Sequence, residues 1–464
     1  MRNFWKGVGS AAAVALGVKA IAELIECCRD GRNNHNPKTT VDFTGAKYIP
    51  NQLIVWKRPG VSDKDFLEWK RNNKPQGVRQ IKLCQYCDDS LELWEGDNIS
   101  TFISGKGATQ GNSAGGGGTT GGGDDIVCYS YNLIIDLPEA DLCAPEQDTR
   151  QIELPSQTES SEAPVIIAVF DTGLDPLIKK AYTNQVHSCM PGGDVGWNFF
   201  DKNADTYDDH PSRHGSRVSK FIIDQANKYK NQKINILPVK THNKFGKSDL
   251  FSVLCGFAYA ANCGAKIVNA SFGFYAAENS GPPVVLTEFV KKHLTDKNII
   301  LVAAAGNLNS DKSLTISELE TVRNLDVNPF FPACLSKKFA NVIAVTTASL
   351  TKNAVSPSQN FSNTIVDIGV KCDKEIKDDY RFEDPLGQPG SSGEATYILG
   401  SSFAAPVVTG MIAQFYPEVI NSLVNGSINK ANLIKKLQEL NPVLITAENN
   451  PIKNFIKDGS CCAK

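Results

Sequence analysis

The hydrophobic pattern changes character along the chain. Residues 48–56, Tyr-Ile-Pro-Asn-Gln-Leu-Ile-Val-Trp, read as a strand, and Pro59-Gly60 turns it. Phe66, Leu67 and Trp69 then fall at helical spacing within residues 63–71. Residues 78–83 and 126–137 predict further strands. Between these two, residues 105–123 hold ten glycines in nineteen positions, which predicts a flexible surface loop rather than core. From Pro164 onward the pattern is different. Short continuous apolar runs at 165–170, 234–239, 266–270, 299–304 and 342–345 alternate with helical stretches such as 217–229 and 250–261. Runs of that kind suit strands buried on both faces, so a mainly parallel α/β sheet is expected, covered by helices. In such a sheet, ligand chemistry gathers beyond the carboxyl ends of the strands. Residues 428–440 predict a closing helix, and the tail 453–464 is expected to be loose.

The chain start follows another logic. Met1-Arg2-Asn3-Phe4-Trp5-Lys6 is basic, and residues 7–18 are apolar but too few to span a bilayer. This fits a secretory signal within residues 1–28, with an amphipathic helix as the alternative, so export is the expectation. The Asn-rich residues 29–45 read as a linker, 46–137 as a small α+β module, 138–163 as a second linker and 164–445 as the main unit, with 446–464 as the tail. The 464 residues carry 48 Lys+Arg against 50 Asp+Glu, a net charge of −2, which argues against a nucleic-acid binder. Apolar residues make up 41%, enough for a sizeable core. Thirteen cysteines cannot all pair within one chain, and Cys84-Gln85-Tyr86-Cys87 lacks the second half of a zinc site.

Four motifs sit at predicted element boundaries. Asp171-Thr172-Gly173 follows a strand, and His214-Gly215-Ser216-Arg217-Val218 opens a helix. Ala304-Ala305-Gly306-Asn307 ends another strand, and Gly400-Ser401-Ser402-Phe403-Ala404-Ala405-Pro406 begins another helix. Taken singly, each is an ordinary turn, strand exit or helix cap. A hydrolase with a serine nucleophile needs a base for the hydroxyl proton, an acid to orient that base and a donor for the oxyanion. Ser402, His214, Asp171 and Asn307 supply one of each. No second Asp-Thr-Gly supports an aspartic protease, and Ala404 breaks the Gly-x-Ser-x-Gly hydrolase signature.

In these motifs the chain resembles the subtilisin-like serine proteases, the subtilases, over roughly residues 164–420. Ser401 and Phe403 replace the Thr and Met usual in the nucleophile motif. The resemblance implies a three-layer fold with a mainly parallel sheet. It also implies a serine endopeptidase in which Asp171 orients, His214 is general base and then acid, Ser402 attacks, and Asn307 with the Ser402 amide binds the oxyanion. A catalytically silent peptide-binding protein on the same fold is the alternative. Substrate is expected to pair as a strand with Ser271, Phe272 and Gly273 on one side and Gly246 and Lys247 on the other, with Ala304, Ala305 and Gly306 lining the first pocket. Lys247 stands where the family has a small residue, which suits an acidic substrate residue or a solvated side chain. His210 lacks a following glycine and is expected at the surface. No cofactor is required. A structural calcium ion is considered at Asp201 and Asp205, with Asp208 and Asp209 nearby. The 46–137 module resembles the inhibitory prodomain of many subtilases, so self-inhibition with cleavage in 138–163 is expected. Partners are then peptide or protein substrates and the chain's own module. A monomer is expected, with no nucleic acid.

Overall fold

A computed structural model describes residues 40–41, 47–88, 90–97, 99, 121–137, 152, 154, 163–183, 194–229, 232–276, 282–307, 316–350, 354–376, 379–387, 395–421, 428–440 and 455–457. The signal-like segment, most of the glycine-rich stretch and nearly all of the 138–163 linker lie outside them.

The N-terminal unit is an antiparallel sheet with one helix. Strands β1 (Lys47–Lys57), β2 (Val78–Leu83), β3 (Leu91–Gly96) and β4 (Val127–Asp136) lie in the order β4-β1-β3-β2. Helix α1 (Asp63–Asn73) starts where the Ser62 hydroxyl accepts from the Asp65 amide, and it buries Phe66 and Trp69. Sequence pattern missed β3, because Leu-Glu-Leu-Trp-Glu-Gly places charges inside an apolar run. Glu92 is buried there, and Lys70 of α1 and the Trp94 indole both donate to it, at 2.8 and 2.6 Å. The last three glycines of the rich stretch, Gly121–Gly123, are not loop but pair with β4.

The larger unit is built on an eight-stranded, wholly parallel sheet. Its labelled strands are β5 (Val165–Asp171), β6 (Ile234–Lys240), β8 (Ile267–Ala270), β9 (Ile300–Ala304), β10 (Val342–Ala348) and β11 (Ile368–Lys371). They run β11-β10-β9-β8-β5-β6, with Phe455–Lys457 beyond β11 and Trp197–Asn198 beyond β6. The tail is therefore not wholly loose, since its backbone adds an edge strand.

Side-chain alternation along β5 separates two cores. Ile167 and Val169 face one, shared with α2 (His214–Tyr229) and α4 (Ser401–Gln414). Ala168 and Phe170 face the other, shared with α3 (Leu250–Asn262). Helices thus cover both faces and make three layers. Helix α4 is buried along its whole length. Gly410 lets it approach α2, since a Cβ there would lie 2.5 Å from the Ile222 carbonyl oxygen. The second core extends without a break into the N-terminal sheet, whose Trp56 ring lies 5.1 Å from that of Phe289. Cys84 and Cys87 sit at the same contact as free thiols with their sulfurs 3.1 Å apart, and the Cys84 thiol also shares a hydrogen bond with the free thiol of Cys255 in α3.

His293 lies in this second core, stacked 4.2 Å from Phe289, and neither ring nitrogen has a hydrogen-bond partner among the described residues. Burial, helped by Lys292 and Lys297, pushes its pKa down to about 3. An unfolded chain takes up that proton near pH 6.5, so the folded state loses stability as pH falls from 6.5 toward 3. His293→Leu is expected to leave stability at pH 7.5 largely unchanged and to reduce the loss between pH 7 and pH 5 by about 2 kcal/mol. Denaturant unfolding at the two pH values measures this, and an undiminished acid loss contradicts it.

Candidate active site

All four motifs meet at the carboxyl ends of the central strands. Asp171 is the last residue of β5, and His214 is the first of α2. Asn307 follows β9, and Ser402 is the second residue of α4. Gly215 permits the close approach of α2 to β5, because a Cβ there would lie 2.3 Å from the Gly173 oxygen and 3.1 Å from the Asp171 Cβ.

The Asp171 carboxylate is 1% exposed. Its Oδ1 accepts from His214 Nδ1 at 2.8 Å and from the Thr172 amide at 2.8 Å. Burial alone raises its pKa, but the charge and hydrogen bond of His214, with His242 and the Thr172 amide, outweigh it and hold the group below the usual range. An ionised carboxylate can only accept, so the His214 tautomer carries its proton on Nδ1 and leaves Nε2 as the acceptor. The Phe403 ring lies 5.3 Å from the imidazole and 5.8 Å from Phe221, filling the space behind the neighbouring Ser402.

Around the serine, the Asn307 amide is fixed by its neighbour. The Ser401 amide and hydroxyl donate to Asn307 Oδ1 at 2.9 and 3.0 Å. Only an oxygen can accept both, so Nδ2 points the other way, buried and with no partner among the described residues. Nδ2 and Ser402 Oγ both lie close to Gly400: a Cβ there would be 3.0 Å from Ser402 Oγ and 3.2 Å from Asn307 Nδ2. The Ser401 hydroxyl that replaces threonine also accepts from the Gly306 amide at 3.1 Å. Tyr275 donates to the Asn307 carbonyl at 3.0 Å, and Asn360 donates to that of Ala305 at 2.9 Å. Neither holding residue was legible in the sequence, since each is an isolated polar residue in a loop or short strand.

The residues expected to bind substrate form two facing edges. Ser271 donates to the Ser402 carbonyl at 2.8 Å, and Phe272 is buried against His242. Between the edges runs the end of β4. Asp136 bridges Gly273 on one side and pairs with Lys247 on the other, in β7 (Lys247–Asp249). The Leu137 amide donates to the Gly246 carbonyl at 2.9 Å, and Lys247 Nζ lies 3.0 Å from Asp136 Oδ1. Lys247 is therefore engaged by a carboxylate rather than solely solvated. Ala304 and Ala305 are buried beside Gly306.

One expectation needs correction. His210 is not a surface residue: it is 2% exposed, and its Nδ1 meets Ser212 Oγ at 2.9 Å. The polar sequence around it forms a folded loop over β6 instead of a solvated one. The four aspartates have separate partners. Asp208 is buried and accepts from Thr172 Oγ1, from the Ser216 amide and from Ser216 Oγ, each at 2.8 Å. Asp209 pairs with Lys240, Asp201 accepts from Asn198, and Asp205 accepts from the Tyr207 amide. Among the described residues no three His, Cys, Asp or Glu side chains converge on a metal position. Asp208 ties the start of α2 to the Asp171 turn, a role its place in an acidic run concealed.

The comparisons agree with this architecture. The model of the Subtilase family matches residues 162–438. The cell wall-associated protease of Bacillus subtilis (strain 168) is 28% identical over 280 residues, 57% of this chain and 25% of that protein, so the match spans about a quarter of that relative. Among solved structures, a serine-to-alanine mutant of the epidermin leader peptide processing serine protease from Staphylococcus aureus aligns over 88% of this chain and 97% of its own. Its TM-score is 0.52 at 16% identity, a likeness of fold. A cold adapted subtilisin-like serine proteinase covers 67% of this chain and 95% of its own, with a TM-score of 0.41 and 20% identity. With a family match spanning the four motif segments and the parallel sheet that carries them, the chain belongs to the subtilase family.

Proposed function

We propose that this protein is a serine endopeptidase made in a self-inhibited form. The observation that supports the reading is the buried Asp171–His214 hydrogen bond, with the imidazole 5.3 Å from the ring of Phe403, the residue after Ser402 at a helix start, and with an Asn307 amide donor that has no partner among the described residues. Ser402 Oγ attacks the scissile carbonyl carbon while His214 Nε2 takes its proton. Asp171 stays ionised and stabilises the imidazolium that forms. Asn307 Nδ2 and the Ser402 amide, at the positive end of α4, bind the developing oxyanion. His214 then protonates the leaving amine, and water releases the acyl group by the same route in reverse. Substrates are peptides or proteins that enter extended, pairing with the edges at residues 246–249 and 271–273.

Self-inhibition is supported by what lies between those edges. The end of β4 pairs with both, so the N-terminal unit fills the place a substrate strand needs. Its sheet is anchored by the shared core and by Asn132, whose side chain accepts from the Phe251 amide at 2.9 Å near the start of α3. Cleavage within residues 138–163 separates the two units and lets the strand leave.

A fluorophosphonate probe is expected to label Ser402 in the processed protein, and Ser402→Ala to abolish the labelling. A folded protein that neither labels nor turns over peptides is the silent binder instead. Asn307→Ala is expected to lower kcat by roughly 100-fold with KM little changed, because the lost donor acts on charge present only in the transition state. Incubated full-length protein should gain a new N-terminus within 138–163, and Ser402→Ala should not. If the intact wild type cleaves peptides without processing, self-inhibition is wrong.

A further inference from the structure

The slot beside the nucleophile is already filled by the protein itself. Its two walls are the segments held against α4: Ser271 bonds the Ser402 carbonyl, and the Gly306 amide bonds the Ser401 hydroxyl. Each wall ends in a glycine, and facing glycines ordinarily leave room for a side chain between two strands. Here that room holds an aromatic ring. A Cβ on Gly273 would lie 2.3 Å from Phe330 Cε1 and 2.5 Å from Cζ, and one on Gly306 would lie 2.9 Å from both Cδ1 and Cε1. The same edge of one ring thus meets both walls, and Phe330 is 7% exposed.

The ring is held in place. Phe330 pairs across the short strand Phe274–Tyr275 with Tyr275, whose own ring packs edge-on at 4.9 Å. The Tyr275 hydroxyl is tied in turn to Asn360 and to the Asn307 carbonyl. The Phe330 amide contacts Cys334 Sγ at 3.2 Å, and Ala276 bonds back to Pro329 at 2.9 Å. Swinging the ring out would break this packing, so a substrate side chain cannot displace it at little cost.

From this we infer that Phe330 is a specificity-determining residue that restricts the substrate position on the amino side of the scissile bond to small side chains: glycine, alanine or serine. The inference rests on the reading of the chain as an endopeptidase. A large aromatic side chain at that position meets the Phe330 ring before its carbonyl reaches Ser402, whereas a methyl group stops short of it.

The test uses the processed protein and two peptides that differ only at this position, alanine against phenylalanine. The wild type is expected to favour alanine in kcat/KM by about 100-fold or more. Phe330→Ala should shift the kcat/KM ratio of the two peptides toward the phenylalanine peptide by at least about 10-fold. Phe330→Val, a smaller disturbance, should shift the ratio the same way by less, and fluorophosphonate labelling reports whether each variant retains a folded site. Equal cleavage of the two peptides by the wild type overturns the inference while leaving the endopeptidase reading intact. So does a labelled Phe330→Ala or Phe330→Val protein with an unchanged ratio. A wild type that neither labels nor cleaves overturns both readings.

Discussion

A carboxylate almost wholly removed from water governs this structure. Taking an isolated ion out of solvent costs several kcal/mol, and the cost is met only where donors are fixed around it. At Asp171 those donors are the His214 imidazole and the Thr172 amide. The Thr172 hydroxyl then reaches a second buried carboxylate, Asp208, and accepts from the Gly215 amide at 3.0 Å. Asp208 in turn gathers the amide and hydroxyl of Ser216. Burial raises the pKa of Asp208 and the Asp171 charge adds to this, although the Ser216 and Thr172 donors oppose it. Two neighbouring carboxylates thus have opposite tendencies. The one beside the imidazole is kept ionised, while the one that holds the helix start is pushed toward its neutral form.

The rest of the site is arranged around that pair. Ser401 holds the oxygen of the Asn307 amide, and Ser271 holds the carbonyl of Ser402. These bonds join β8, β9 and α4, three elements far apart in the chain. Buried polar groups of this kind are satisfied only in one arrangement, which makes the site rigid before any substrate arrives. Arg217, three residues after His214, forms a buried two-point bond to Asp384 and ties α2 to the segment that leads into α4.

The N-terminal unit is bound by a different physics. Its sheet covers α3 and the helix carrying Phe289 through apolar contact, and its last strand pairs with β7 of the larger unit. Unpaired strand edges invite pairing with any extended chain, which is useful for a substrate cleft and hazardous in a resting protein. β4 covers both edges at once. Asp136 against Lys247 adds a charge pair that is partly exposed, so it contributes to choosing the strand and little to holding it.

Much of this was legible in the sequence, because local patterns carry it. Continuous apolar runs at 165–170 and 234–239 identify strands buried on both faces, and Asp-Thr-Gly, His-Gly and Ser-Ser mark where elements begin and end. What those patterns could not carry is what each residue meets across the fold. Glu92 hides β3 by putting a charge in a strand core, where Lys70 and Trp94 donate to it. Asp208 looked like one of four surface acids and His210 like a solvated neighbour, yet both are buried by contacts from distant segments. Phe330 belongs to a plain Phe-Phe-Pro run. By itself, then, the sequence determined the layered α/β plan and the four motif segments at its element boundaries, which depend on period and order along the chain. Only the tertiary structure decided which acids are buried, which strand lies between Gly273 and Lys247 and which ring packs against Gly273 and Gly306. Those depend on packing between residues tens to hundreds of positions apart, for which the chain carries no local signal.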